Sequence, residues 1–315
     1  MGPRMTTLVF THPECRLHDM GRGHPECGAR LDAITDHLRA TGLDTALTFR
    51  DAPLVDLEAL KRAHTAGFVS ELDAVLLDLE TSGDHHAFDP DTIACAHTRR
   101  AVQRAAGAAV AATEAVMRGE ARTAFCAVRP PGHHATRDTA MGFCFYNNVA
   151  VAARHALDEL GLQRVAIIDF DVHHGNGTED IVAGDDRILM ASFFQHPLYP
   201  GSGTVPKSTN MVNLPVRPYT RGPEIRDLIE ANWMPRLEAF EPQMIFISAG
   251  FDAHREDELG QLGLVEADYT WITQRVKDVA DRHAQGRIVS CLEGGYNLGA
   301  LARSVASHLR VLAEV

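Results

Sequence analysis

The run VAIIDFDVHHGNG at residues 165–177 carries acids and imidazoles at the end of an apolar stretch. In an extended strand every second side chain falls on one face, so Asp169, Asp171 and His173 point the same way. A carboxylate and an imidazole two residues apart can reach one cation, and mixed nitrogen and oxygen ligation suits zinc or another first-row divalent ion better than magnesium or calcium. Taken alone, the run reads equally well as a polar turn after a buried strand. His174 falls on the opposite face and reads as a satisfied structural histidine.

Apolar, β-branched strings alternate with long amphipathic segments, the pattern of a parallel sheet with helices on both faces. Strands are expected at Thr7–Phe10, Thr123–Val128, Arg164–Asp169, Ile188–Ser192, Met244–Ser248 and Ile288–Leu292. Helices are expected at Ala29–Ala40, Gly67–Leu79, Ala94–Arg118, Asn148–Leu160, Glu224–Ala239, Glu266–Ala284 and Gly299–Ala313. Open α/β sheets bind ligands beyond the carboxyl ends of their strands. Four such ends carry unusual residues: RPPGHH with His133 and His134, the opening run, AGFD with Asp252, and EGGY with Tyr296. Together they supply ligands for a metal, a second histidine pair and a phenol, which is the inventory of a hydrolase.

Composition bounds the host. With 315 residues and 45% apolar content the chain can bury a large core, and one domain over residues 1–315 is expected, with no repeat and no linker. A formal charge of −12 disfavours nucleic acid and anionic membranes as partners and stays compatible with a cationic substrate. No basic-then-apolar leader and no bilayer-length apolar run stands out, so a cytoplasmic location is expected. The six cysteines are scattered without CxxC spacing, as reduced core thiols would be.

RPPGHH, GFCFYNN, DFDVHHGNGTED, SAGFDAH and LEGGYN, in this order and preceded by HPECGARL from His24, resemble the histone deacetylase family. Asn176, where class I members carry aspartate, makes the chain similar to the class II-like branch, the group of bacterial histone deacetylase-like and acetylpolyamine amidohydrolases. The resemblance implies a three-layer α/β/α arginase/deacetylase fold and one zinc held by Asp171, His173 and Asp252. It implies that His134 moves protons with His133 as electrostatic helper, that Asp169 orients His133 and Asn176 orients His134, and that Tyr296 steadies the oxyanion. Asp169 and Ser192, with carbonyls of Asp171, His173 and Phe193, are the implied potassium site. Gly142 and Phe143 are implied as one wall of an acyl-lysine channel, Tyr199 as the facing wall and Arg30 as part of an inner pocket for released acetate.

Amide hydrolysis at neutral pH needs an activated water and a stabilised oxyanion, and zinc with one open position can serve both. Substrate choice is less constrained. A polyamine-selective relative places glutamate nine residues after the glycine of its GFD motif, and here that residue is Leu259, which favours acyl-lysine in a protein or peptide. The neighbouring acids Glu256, Asp257 and Glu258, with Asp84, Asp89 and Asp91, read as a solvated rim, or Asp89 or Asp91 holds the substrate backbone. A small acyl-amine such as an acetylpolyamine and a non-catalytic acyl-lysine binder are the other readings. Oligomeric state, acyl length and physiological target are not encoded in any motif of the chain.

Overall fold

The structure, a computed structural model, describes residues 7–315. Its strands are β1 (Thr7–Thr11), β2 (Leu47–Asp51), β3 (His86–Ala87), β4 (Ile93–Ala94), β5 (Thr123–Cys126), β6 (Val165–Asp169), β7 (Ile188–Gln195), β8 (Met211–Val216), β9 (Ile245–Ala249) and β10 (Ile288–Leu292). Its α-helices are α1 (Glu14–Leu17), α2 (Ala29–Ala40), α3 (Leu57–Leu60), α4 (Ala66–Ser82), α5 (Thr98–Met117), α6 (Asn148–Asp158), α7 (Asn176–Val182), α8 (Gly222–Phe240), α9 (Glu266–His283) and α10 (Leu298–Leu312). Among the described residues no helix is long and apolar enough to cross a membrane.

Eight strands form one sheet in the order β2-β1-β5-β10-β9-β6-β7-β8, and every pair in it is parallel. Parallel strands need crossovers, and the helices that make them cover the sheet, so the central strands are apolar on both faces. β5, β6, β9 and β10 are buried along their whole length. Helices α5 and α6 pack on one another and on the sheet, while α10 packs against both α2 and α9. Because all strands run one way, the loops after β5, β6, β9 and β10 leave the same edge of the sheet as neighbours.

All six expected strands are present. Of the four further ones, β2 and β8 are the outer strands of the large sheet, and β3 and β4 form a separate two-stranded sheet. An outer strand is half covered and tolerates charge and proline. That is why LTFRD lacks a continuous apolar signal and why Pro215 reads as a break in MVNLPV. The expected helix start at Ala94 is corrected to Thr98. Ile93 and Ala94 instead pair with His86 and Ala87 in a small antiparallel hairpin, and the Cys95 amide donates to Thr98 Oγ1 at 2.8 Å, which stops the helix from extending backwards.

Candidate active site

The strand ends bring Asp171, His173 and Asp252 together, with ligand atoms that all lie within 4.8 Å of one another. Asp171 Oδ1 accepts from the His173 amide at 2.9 Å, and Oδ2 accepts from the Gly294 amide at 2.9 Å. Asp252 Oδ1 accepts from the Val172 amide at 2.9 Å. Its other oxygen lies 3.2 Å from His173 Nδ1 and is buried with no hydrogen-bond partner of sound geometry. A buried carboxylate oxygen without a donor asks for a cation. Burial followed by repulsion from Asp171 pushes Asp252 up to about 7. Burial alone would depress the His173 imidazole, but the two carboxylates hold it up at about 10. Two carboxylates and an imidazole in a buried cluster form a donor set that fits a divalent metal such as zinc.

His133 and His134 follow β5 and stand beside this cluster, ring centroids 4.0 Å apart, with His134 5.8 Å from His173. Each Nδ1 faces a partner of different charge: Asp169 Oδ2 lies 3.0 Å from His133, and Asn176 Oδ1 lies 2.7 Å from His134. An acceptor at Nδ1 fixes the tautomer and leaves Nε2 facing the site. Burial opposes charge on both rings. Asp171 and Asp169 overcome it at His133, which is raised well above the usual histidine range. His134, buried beside two other imidazoles, is pushed well below it. The pair therefore contains one imidazole that favours a proton and one that favours a free lone pair. Asp169 Oδ1 also accepts from the Asp171 amide, and the neighbouring Ser192 hydroxyl is buried without a partner.

Tyr296 enters from β10, its ring edge-on to Phe143 at 5.9 Å. Burial, reinforced by Asp252, holds its phenol well above the usual range, so it keeps its proton. Arg30, expected at an inner pocket, lies deeper than the channel. It is fully buried beneath the Tyr296 ring, with its guanidinium carbon 5.1 Å from the ring centroid. Its donors are committed to the carbonyls of Gly295 and Glu293 and to Glu26. It braces the loop that carries Tyr296 and lies outside the lining of the channel.

Above the cluster opens a cavity of about 260 Å³, walled by Phe143, Tyr199, Leu198 and Leu259, with the imidazoles and Tyr296 toward its floor. This is a little smaller than the ~300–1,000 Å³ of drug-sized ligand sites. The Tyr199 ring stands edge-on to His134 at 5.1 Å. Gly142 lets the two approach: with φ of 58°, a Cβ there would sit 2.6 Å from the His134 ring and 2.9 Å from the Tyr199 hydroxyl. Phe143 follows with φ of 69°, a left-handed conformation unusual for a bulky residue and costing about 1–3 kcal/mol. Asp89 and Thr92 hold it there, Asp89 Oδ2 accepting from the Gly142 amide and Thr92 Oγ1 from the Phe143 amide.

Those contacts separate the acids that look alike in sequence. Asp89 is committed to backbone amides, whereas Asp91 is exposed at the mouth. Asp84 lies after α4 and does not line the channel. Glu256 pairs with Arg303 at the surface and Glu258 is exposed, but Asp257 is buried, which corrects the expectation of a solvated rim for that residue. Glu293 is a site residue the motifs did not single out. Fully buried and raised to about 7 mainly by burial, it accepts from the Gly132 amide at 2.7 Å, the His133 amide at 3.1 Å and the Ser248 hydroxyl at 3.1 Å. An acid closing the apolar strand IVSCL carries the same signal that marks Asp169. His174 pairs with Glu179 at 3.0 Å, away from the cluster, in keeping with a structural part.

A histone deacetylase domain model matches residues 24–312. Type-2 histone deacetylase 2 of Dictyostelium discoideum is 33% identical over 99% of the chain, which spans only 21% of that longer protein. The histone deacetylase-like amidohydrolase of Pseudomonas aeruginosa is 35% identical over 87% of the chain and 72% of its own length. The crystal structure of the HDA15 HD domain superposes with a TM-score of 0.89 at 31% identity, covering 98% of this chain and 90% of that one. The sheet of eight parallel strands flanked by helices is the arginase/deacetylase fold. The strand-end cluster, the paired imidazoles and the match across nearly the whole chain lead to one conclusion: this chain belongs to the histone deacetylase family of hydrolytic deacetylases.

Proposed function

We propose that the protein is a zinc-dependent deacylase that hydrolyses the side-chain amide of acetyl-lysine, or another short acyl-lysine, in proteins or peptides. The observation that carries this reading is the buried Asp171, His173 and Asp252 cluster beneath a narrow channel that also exposes two imidazoles and a phenol. Asp171, His173 and Asp252 are the residues that would hold zinc, which when bound lowers the pKa of water toward about 7 and polarises a carbonyl. His134, neutral and with Nε2 free, takes the proton of the attacking water and returns it to the departing lysine amine. His133, held by Asp169, contributes positive charge beside the developing oxyanion. Tyr296 keeps its proton and donates a hydrogen bond to that oxygen. Phe143 and Tyr199 sheathe the lysine methylenes and exclude water from the reacting amide.

At the mouth, Leu259 and Leu198 present apolar surface to the base of the lysine side chain, which supports acyl-lysine over an acylpolyamine whose second ammonium would lie there. Asp91, exposed at the same mouth, accepts the backbone amides that flank the modified lysine. Asp169 and the unpartnered Ser192 hydroxyl, with the carbonyls of Asp171, His173 and Phe193, are the groups that would hold potassium. The deciding experiment compares kcat/KM of the zinc-loaded protein on an acetyl-lysine peptide and on acetylspermidine. Faster turnover of the peptide is expected, and preference for acetylspermidine overturns the substrate assignment. Binding of acetyl-lysine without hydrolysis of either overturns the catalytic one.

A further inference from the structure

We propose that Asp257 is a positioning residue that ties the mouth of the channel to Tyr296 and so aims the phenol; the inference rests on the deacylase reading above. Its buried carboxylate takes three backbone amides from two loops. Oδ2 accepts from Tyr296 at 2.6 Å and from Asn297 at 3.0 Å, and Oδ1 accepts from Leu259 at 3.0 Å. All three amides lie outside regular secondary structure, where a buried N–H must find its acceptor elsewhere.

The preceding residues are held separately, the Gly294 amide donating to Asp171 Oδ2 at 2.9 Å and the Gly294 carbonyl accepting from the Phe251 amide at 2.9 Å, but among the described loop carboxylates only Asp257 accepts from the Tyr296 and Asn297 amides. Tyr296 follows two glycines, Gly294 and Gly295, the second with φ of 121°, so no side chain braces the turn from within. The Tyr296 peptide is gripped from both sides, Arg30 donating to the Gly295 carbonyl at 2.7 Å and Asp257 accepting from the Tyr296 amide. Asn297 caps α10, its side chain accepting from the Ala300 amide, and a carboxylate at a helix N-terminus is electrostatically favoured. Leu259, whose amide shares the same carboxylate, lines the mouth. A substrate seated on Leu259 therefore bears on the group that fixes the direction of Tyr296. Of the three consecutive acids 256–258, only the middle one is turned inward.

The test is a double-substitution cycle on the zinc-loaded protein with an acetyl-lysine peptide, using Asp257→Asn, Tyr296→Phe and the pair. Hydrogen–deuterium exchange of the 293–298 backbone is followed in the same proteins without substrate. Asparagine offers a single acceptor oxygen and sets an NH₂ against one of the amides, which loosens the clamp at nearly constant volume. We expect Asp257→Asn to lower kcat by about 10–100-fold, more than it changes KM, and to speed exchange at Tyr296 and Asn297 about tenfold or more. In the Tyr296→Phe background the same change should cost less than about threefold. Glu258→Gln, beside it but exposed, should leave turnover unchanged. Equal losses in both backgrounds, or unaltered exchange at Tyr296, overturn the proposal. If Asp257→Asn does not accumulate as folded protein, Asp257→Glu, which keeps the charge but displaces it, carries the same cycle. A wild-type protein that turns over no acylated amine refutes the deacylase reading instead, and exchange alone then decides whether the clamp exists.

Discussion

Gly250→Ala is expected to disable metal binding without unfolding the protein. Gly250 follows β9, and a Cβ built on it would lie 2.0 Å from Asp171 Oδ2, where real Cβ contacts do not fall below 3.0 Å. Asp171 cannot swing away, because its oxygens hold the amides of His173 and Gly294 and the residue is fully buried. Its carboxylate must retreat by about 1 Å, whereas a zinc site tolerates ligand shifts of about 0.2 Å. The expected loss in zinc affinity is at least about 10–100-fold, or roughly 1.4–2.8 kcal/mol. Competition with a chromophoric chelator measures the affinity, and circular dichroism confirms that the fold persists. Gly67→Ala is the control: nothing lies within 4 Å of its added methyl in α4, and it should raise stability by about 0.5–1 kcal/mol with metal affinity unchanged. Gly294→Ala, with a Cβ 2.1 Å from Asp252 Oδ2, should repeat the defect from the other carboxylate. Folded Gly250→Ala protein that binds zinc with wild-type affinity would refute the assignment of Asp171 as a ligand in this geometry.

Three further outcomes are expected. Tyr296→Phe should retain stoichiometric zinc by metal analysis yet lose about 10²–10³ in kcat, since one oxyanion donor is removed, and an undiminished rate would take the phenol out of the mechanism. Leu259→Glu, which sets a carboxylate at the mouth, should move the kcat/KM preference from acetyl-lysine peptide toward acetylspermidine, and an unmoved ratio would show that this position does not select substrate. Potassium chloride should raise the melting temperature of the wild-type protein relative to the choline salt, and Ser192→Ala should abolish that rise; no rise in the wild type, or a rise of equal size in both proteins, would remove Ser192 from cation binding.

Much of the molecule is legible from its sequence, and the gaps have physical causes. Strands buried on both faces announce themselves as apolar runs, so β5, β6, β9 and β10 and the chemistry at their ends stand out. The outer strands β2 and β8 do not, because one side of each is free and their composition is unconstrained. Asp171, His173 and Asp252 are readable as a set through the family resemblance; strand alternation alone groups Asp169 with Asp171 and His173, but β6 ends at Asp169 and the cluster takes Asp252 instead. Asp89, Asp91 and Asp257 are not, because a carboxylate that caps loop amides and one that faces solvent look identical in composition. Arg30 likewise reveals its part only when its donors are traced to the carbonyls of Gly295 and Glu293.

The hydrogen bonds of the left-handed turn at Gly142 and Phe143 come from Asp89 and Thr92, in a surface hairpin remote in sequence from every strand end that supplies metal ligands or imidazoles. The Phe143 wall of the entrance is thus supported from outside the strand ends, whereas the Leu259 wall is tied to Tyr296 through Asp257. Exchanges within the hairpin therefore act on one side of the entrance, and they reach the His134 and Tyr296 rings only through the turn that Asp89 and Thr92 hold.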